Sequence, residues 1–162
     1  MIGLIDADAT FSDCGLYRYS LSRQWDRLLP TAVFILLNPS TADARQDDPT
    51  VRRCRGFATR DGCGGLVMVN LFAYRATSPA EMMAADDPIG PDNDRYIADA
   101  IDDADGPVVC AWGNHGVFRS RDHQVATLSS CIDAPLFCLG LTKAGSPRHP
   151  LYLSADTPLE RL

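Results

Sequence analysis

Val33-Phe34-Ile35-Leu36-Leu37-Asn38-Pro39-Ser40-Thr41 is the stretch on which the fold turns. Five apolar residues run unbroken into a polar turn. A run of this length, bounded by turn residues, fits a strand covered on both faces, the kind that fills the middle of a parallel α/β sheet. Proline fixes φ and has no N–H for a ladder, so the backbone must leave the sheet near Pro39. Open α/β sheets bind ligands beyond the carboxyl ends of their central strands. The Asn38 amide and the Ser40 and Thr41 hydroxyls stand at that end, aimed into the crevice. The simpler alternative is an Asx or Ser/Thr turn that caps the next helix.

Working outward, residues 9–11 and 17–21 read as short strands around Ser12-Asp13-Cys14-Gly15, an antiparallel hairpin at the sheet edge with Tyr17 and Tyr19 packed on one face. After the central strand, residues 42–48 are too polar for core. Asp48-Pro49 has the chemistry of a helix start, Asp as N-cap and Pro at the first helical position. A helix over 49–60 would turn Val51, Cys54 and Ala58 inward. Arg52, Arg53 and Arg55 would then lie on other faces, either solvated beside Asp47 and Asp48 or in contact with phosphate. Residues 66–72 form a second buried strand in which Asn70 repeats the logic of Asn38. A neutral amide near a strand end can read a flat polar edge with one acceptor and two donors. Its alternative role is to tie down a neighbouring loop.

A long connection over 73–91 leads to a helix over 92–103, with Tyr96, Ile97, Ala100 and Ile101 on one face. A third buried strand at 108–112 closes in Gly113-Asn114-His115-Gly116. A helix over 117–130 and a fourth strand at 136–139 follow. Strands alternating with helices predict a single α/β domain over 1–162. The expected architecture is three layers, α/β/α, with a mostly parallel four-stranded sheet plus the N-terminal hairpin.

The bulk numbers narrow the function. Apolar residues make up 46% and charged residues 22% of the 162 positions, the balance of an ordinary globular protein. No apolar run approaches the ~20 residues of a membrane span, and no secretory start is present, so a cytoplasmic monomer without membrane contact is expected. The six cysteines form no CxxC pair and no zinc spacing. Reduced thiols, no metal and no cofactor are expected, with Cys110 and Cys138 in the core. Neither GxGxxG nor GxxxxGK[ST] occurs, which argues against dinucleotide and P-loop enzymes. The formal charge of −6 speaks against a broad, non-specific nucleic-acid surface but leaves room for a small basic crevice. Lys143 and Arg148 stand in a segment, 134–155, that holds no acid.

Four motifs stand at strand ends in a fixed order: Leu37-Asn38-Pro39-Ser40, Val69-Asn70-Leu71, Ala111-Trp112-Gly113-Asn114-His115 and Arg148-His149-Pro150-Leu151. Together they resemble the uracil-DNA glycosylase superfamily, nearest its small mismatch-specific branch, over residues 31–153. The chain also resembles small prokaryotic proteins grouped as a domain of unknown function, in which LNPSTAD and PRHPLYL recur. Leu36 stands where the glycosylase motif has Gly, Ser40 where it has Gly or Tyr, and no aspartate occupies the Asn38 place. These departures bear on the substrate more than on the fold.

The resemblance implies a uracil-DNA glycosylase-like fold and hydrolysis of the N-glycosidic bond of a base extruded from DNA, double- or single-stranded. Asn38 would orient the attacking water, and His149 would donate to the base as it leaves with negative charge. Leu37, Ser40, Thr41 and Asn70 would line the base. Arg52, Arg53, Lys143, Ser146 and Arg148 would meet phosphates. Leu151 and Tyr152 would wedge into the duplex. A neutral amide is no general base, and the sequence does not choose among Asp43, Asp47 and Asp48 as an assisting carboxylate. Ser40 and Thr41 leave room for bases other than uracil, modified bases of phage DNA among them. The competing expectations are a binding module of this fold without chemistry and a hydrolase of free nucleosides or nucleotides. His115 reads as a helix-start residue and His123 as a solvated one.

Overall fold

The computed structural model describes residues 3–162. Its centre is a seven-stranded sheet in the order β1-β2-β4-β3-β5-β6-β7. The strands are β1 (Asp6–Phe11), β2 (Arg18–Gln24), β3 (Thr31–Leu36), β4 (Gly65–Asn70), β5 (Val108–Cys110), β6 (Leu136–Cys138) and β7 (Glu160–Arg161). β4, β3, β5 and β6 run parallel to one another. β1 and β2 are antiparallel, β2 joins β4 antiparallel, and β7 closes the far edge antiparallel to β6. The sheet therefore holds more than four strands plus a separate hairpin. The hairpin is continuous with it, so of its two strands β1 is an edge and β2 is an inner strand.

β3 alternates as a strand buried on both faces must. Ala32, Phe34 and Leu36 pack with one core cluster, and Val33, Ile35 and Leu37 with the other. On the first face lies α1 (Pro49–Arg60), which buries Val51, Cys54, Phe57 and Ala58. On the second lie α3 (Asn93–Asp102) and α4 (Arg121–Ile132), through Ile97, Ile101 and Val125. Each large side chain buried from water here stabilises the fold by about 1.5–3 kcal/mol. α1 starts where its cap residue dictates: Val51 N–H donates to Asp48 Oδ1 at 2.9 Å, and Pro49 takes the first turn. The connection over 73–91 is not structureless. It contains α2 (Pro79–Met83), capped by the Ser78 hydroxyl.

One element departs from its expected form. Instead of a helix over 117–130, a 3-10 segment, Asn114–Ser120, is followed by α4. Arg119 and Ser120, both at φ 54°, break the two apart. The cause is packing at both ends. Gly116 lies against the Trp112 ring, where a Cβ would fall 2.1 Å from the ring's Cδ1, so only glycine can pass. Arg121 is then drawn into the core, where Nε donates to Leu71 O at 2.7 Å and Nη2 pairs with Asp94 at 2.5 Å. No helix among the described residues is long and apolar enough to cross a membrane.

Candidate functional site

A cleft of about 640 Å³ opens at the carboxyl ends of the parallel strands. It is lined by Leu37, Asn38, Ser40 and Thr41 from the end of β3, and by His149, Leu151 and Tyr152 from the late loop. Asp48, Trp112 and His115 complete the walls. Beneath it lies an inner chamber of about 40 Å³ between Asn38, Ser40, Asp48, Asn70, Arg18 and His149. Residues 38 and 149, far apart in the chain, thus share one site.

The orientation of Asn38 follows from its neighbours. Its Nδ2 lies 2.9 Å from Ala76 O and 3.2 Å from Pro39 O. Both neighbours are carbonyls, so the NH₂ must face them, and Oδ1 is left as an acceptor at the cleft. His149 is fixed in the complementary sense. Leu151 N–H donates to its Nδ1 at 3.2 Å, so the neutral ring carries its proton on Nε2. Burial pushes the His149 pKa below its usual value, with the Asp48 charge opposing. The group is a neutral donor at pH 7.

The three acids left open by the sequence separate by position. Asp43 accepts from the Arg45 and Gln46 backbone N–H groups, which holds its carboxyl below the usual range. Asp47 pairs with the buried Arg23 at 2.8 Å. Asp48 alone of the three lines both the cleft and the chamber. Its Oδ1 caps α1, so the helix start sets the carboxylate beside Asn38 and His149.

Two buried arginines of β2 hold the loop that presents these groups. Arg23 donates to the carbonyls of Asp43, Gln46 and Ser22. Arg18 Nη1 donates to Ala42 O at 2.9 Å. Arg18 was read in the sequence as one residue of an edge hairpin, yet it is 2% exposed and lines the chamber. Desolvation brings its pKa down to about 10, against the pull of Asp48.

Asn70 is 1% exposed. The carbonyls at the end of β4 are gripped by Asn93 Nδ2, at 2.9 Å from Asn70 O, and by Arg121. Asn70 Nδ2, however, finds no acceptor among the described residues; neither do Arg18 Nε and Trp112 Nε1. The late loop is tied down from two sides. Gly113, at φ 75°, donates its N–H to Pro147 O at 2.8 Å, a conformation glycine adopts without strain. Arg53 donates to the Pro150 and Leu153 carbonyls.

Not every expected contact residue reaches this place. Arg53 is half-buried and engaged with backbone, so its position is that of a clip between α1 and the His149 loop. Arg52 donates to Asp47 O at 3.1 Å and lines a separate groove with Trp25. Lys143 and Arg148 are exposed on the 141–148 turn, and Ser146 is buried within it; none of the three lines the cleft. Tyr152 is 93% exposed at the rim, with Leu151 half-buried beside it. Asp48, Arg18, Trp112 and His115 sharpen or extend the expected set. His115 is exposed at the start of the 3-10 segment. No group of three or more His, Cys, Asp or Glu able to hold a metal occurs among the described residues.

The family model DUF1643, described as Protein of unknown function, matches residues 18–151. The chain belongs to the DUF1643 family. The matched span begins at Arg18 and takes in Asn38, Asp48, Asn70 and His149, so the whole inner chamber lies inside the DUF1643 region. Tyr152 falls just beyond it. No curated protein and no solved structure matches the chain.

Proposed function

We propose that this protein is a monofunctional DNA glycosylase, hydrolysing the N-glycosidic bond of a base turned out of the DNA stack. The observation that carries the reading is the convergence of Asn38, Asp48, Asn70 and His149 on one cleft and its inner chamber. Cleavage needs a positioned water on one side of the sugar and donors at the base on the other. Asn38 Oδ1, with its amide locked by two carbonyls, accepts from and orients the water. Asp48 takes the proton that the water loses as its oxygen bonds to C1′. The C1′–N bond breaks, and the base leaves with the bonding pair. His149 Nε2–H donates to the oxygen on which that negative charge gathers, and the base then takes a proton from solvent. The products are an abasic sugar and a free base.

Three features support a base over a bulkier substrate. The cleft ends in amides and hydroxyls, the edge chemistry that a flat heterocycle presents. Trp112 lines its wall. Leu151 and Tyr152 stand at its rim, where an apolar wedge would fill the space an extruded base leaves.

The test is incubation with duplex and single-stranded oligonucleotides carrying uracil, mismatched thymine and modified bases, followed by alkaline cleavage. The expected result is strand scission at one class of base. Asn38→Ala and His149→Ala should each lower the rate about 10²–10³-fold. Release of base from free nucleosides but from no oligonucleotide would replace this reading with a nucleoside hydrolase. Tight binding without scission would leave a binding module.

A further inference from the structure

Residues 45–47 line a second groove, while residues 48–50, next in the chain, line the cleft. The groove encloses about 750 Å³ and shares no lining residue with the cleft. Its α1 wall is one helical stripe, Arg52, Arg55, Gly56 and Thr59, at spacings of three and four residues. Arg45 lines it from the loop, and Leu4 and Trp25 supply its apolar part.

Three guanidiniums therefore meet in this groove, on a chain whose formal charge is −6. One acid lines it, Asp47, and that carboxylate is paired with the buried Arg23 at 2.8 Å. Neither Arg45 nor Arg52 belongs to an ion pair among the described residues. Arg55 lies over the Trp25 ring, 5.2 Å from its centroid, a contact that holds the planar fork against the apolar floor. Like charges gathered in one concavity repel, and a ligand with several negative charges relieves the repulsion. Arginine forks match phosphate oxygens two at a time.

Gly56 is an independent observation that points to the same place. Among ordinary residues glycine is the least favourable inside a helix, with only proline worse. Neither packing nor backbone geometry requires it here. A Cβ at Gly56 would meet no atom within 4 Å, and the residue has no left-handed φ. Its missing side chain leaves a bare patch of helix open to the groove, which lets a flat ligand approach the backbone closely. Arg52 stands one turn before it and Arg55 beside it, so a ring on Gly56 and phosphates on the arginines would occupy one continuous helix face. A groove of this size takes a molecule as large as a nucleotide.

We propose that the groove is a nucleotide-binding site separate from the cleft. The ring of a nucleoside polyphosphate lies against Gly56 and Leu4, and Arg45, Arg52 and Arg55 hold its phosphates. This does not rest on the reading of the cleft as a glycosylase site.

The test is calorimetric titration of the full chain with the four ribonucleosides, their 5′-diphosphates and inorganic pyrophosphate. At least one diphosphate should bind about 10- to 100-fold tighter than its own nucleoside and than pyrophosphate, the range that one or two charge-assisted hydrogen bonds confer. Arg45→Ala and Arg52→Ala should each weaken that binding about 10-fold. Gly56→Leu should weaken it by about 10-fold or more. The same variant should raise the melting temperature by about 2–4 °C, because leucine suits a helix better than glycine. Lost affinity with gained stability cannot come from misfolding. His149→Ala should leave nucleotide affinity unchanged. Binding that His149→Ala abolishes and that Arg52→Ala and Gly56→Leu leave intact would put the nucleotide in the cleft and overturn the groove site. Pyrophosphate binding as tightly as every diphosphate would overturn the nucleotide assignment, and binding of none of these probes would overturn the site outright.

Discussion

Asn38→Asp is the substitution that separates an orienting amide from a misplaced acid. The wild-type NH₂ donates to Ala76 O at 2.9 Å and Pro39 O at 3.2 Å. Each neutral hydrogen bond contributes about 0.5–1.5 kcal/mol net. Asn38→Ala removes both and should cost about 1–3 kcal/mol. Asn38→Asp does more, because a carboxylate then faces two carbonyl oxygens and has nothing to donate. Leaving that charge poorly solvated adds about 1–3 kcal/mol, for a total of about 2–6 kcal/mol. At about 2–4 °C per kcal/mol for a chain of this size, the Asp variant should melt about 4–24 °C below wild type at pH 8. The sign of the pH dependence follows. The new carboxyl has its folded pKa raised above the ~3.9 of the unfolded chain. Stability is therefore recovered as pH falls, when the acid protonates and donates one bond, and lost as pH rises through the folded value. Thermal melts of wild type, Ala and Asp variants at pH 5 and pH 8 decide the matter. The expected order at pH 8 is Asn above Ala above Asp, with the Asp deficit narrowing at pH 5. An Asp variant as stable as wild type at pH 8 would mean that the NH₂ does not face those carbonyls. Oδ1 would then not be the free acceptor, and the water-orienting role of Asn38 would go with it.

Arg53→Ala should cost about 1–3 kcal/mol by denaturant titration and speed amide exchange at Leu151 and Leu153, since the clip on Pro150 and Leu153 is lost. His149 has a folded pKa below its unfolded value, so its contribution is present above about pH 6.5 and is lost as pH falls through the lowered folded value. Denaturant titrations from pH 8 to pH 5 should show a smaller fall in stability for His149→Leu than for wild type. Thiol titration of the native protein should find two reactive groups, Cys14 and Cys131, and four more only after unfolding, because Cys54, Cys63, Cys110 and Cys138 are buried.

Much of the fold was legible because its signals are local. Asp48-Pro49 is a start signal read within two residues, and α1 begins there with Asp48 as its cap. The run from Val33 to Leu37 is apolar at every position because both faces of β3 are covered. Elements decided by distant packing were not legible. The break before α4 comes from Gly116 meeting the Trp112 ring and Arg121 reaching the Leu71 carbonyl, neither of which leaves a periodic mark. β7 has only two residues, too few for any pattern, and forms because β6 offers it an edge.

The candidate site divides in the same way. Asn38, Asn70 and His149 each follow or end an apolar run or sit in a recurring turn, so their chemistry could be suspected from sequence. Asp48 could be seen as a cap but not as a member of the site, since the choice among three nearby acids depends on how Arg23 anchors residues 43–47. Arg18 was hidden more deeply. Read with a period of two, it belongs on the face opposite Tyr17 and Tyr19 of an edge strand, where a charge needs no explanation. Two non-local facts remove that explanation. β4 covers the other side of β2, so the strand is interior. A bulge in the β1–β2 ladder makes Tyr19 an extra residue and shifts the phase, so that Arg18 and Leu21 share the α1 face across three positions instead of an even number. A buried cation in an inner strand, set there by a bulge and anchored to Ala42 O, is therefore the product of contacts far apart in the chain, and no local pattern of residues announces it.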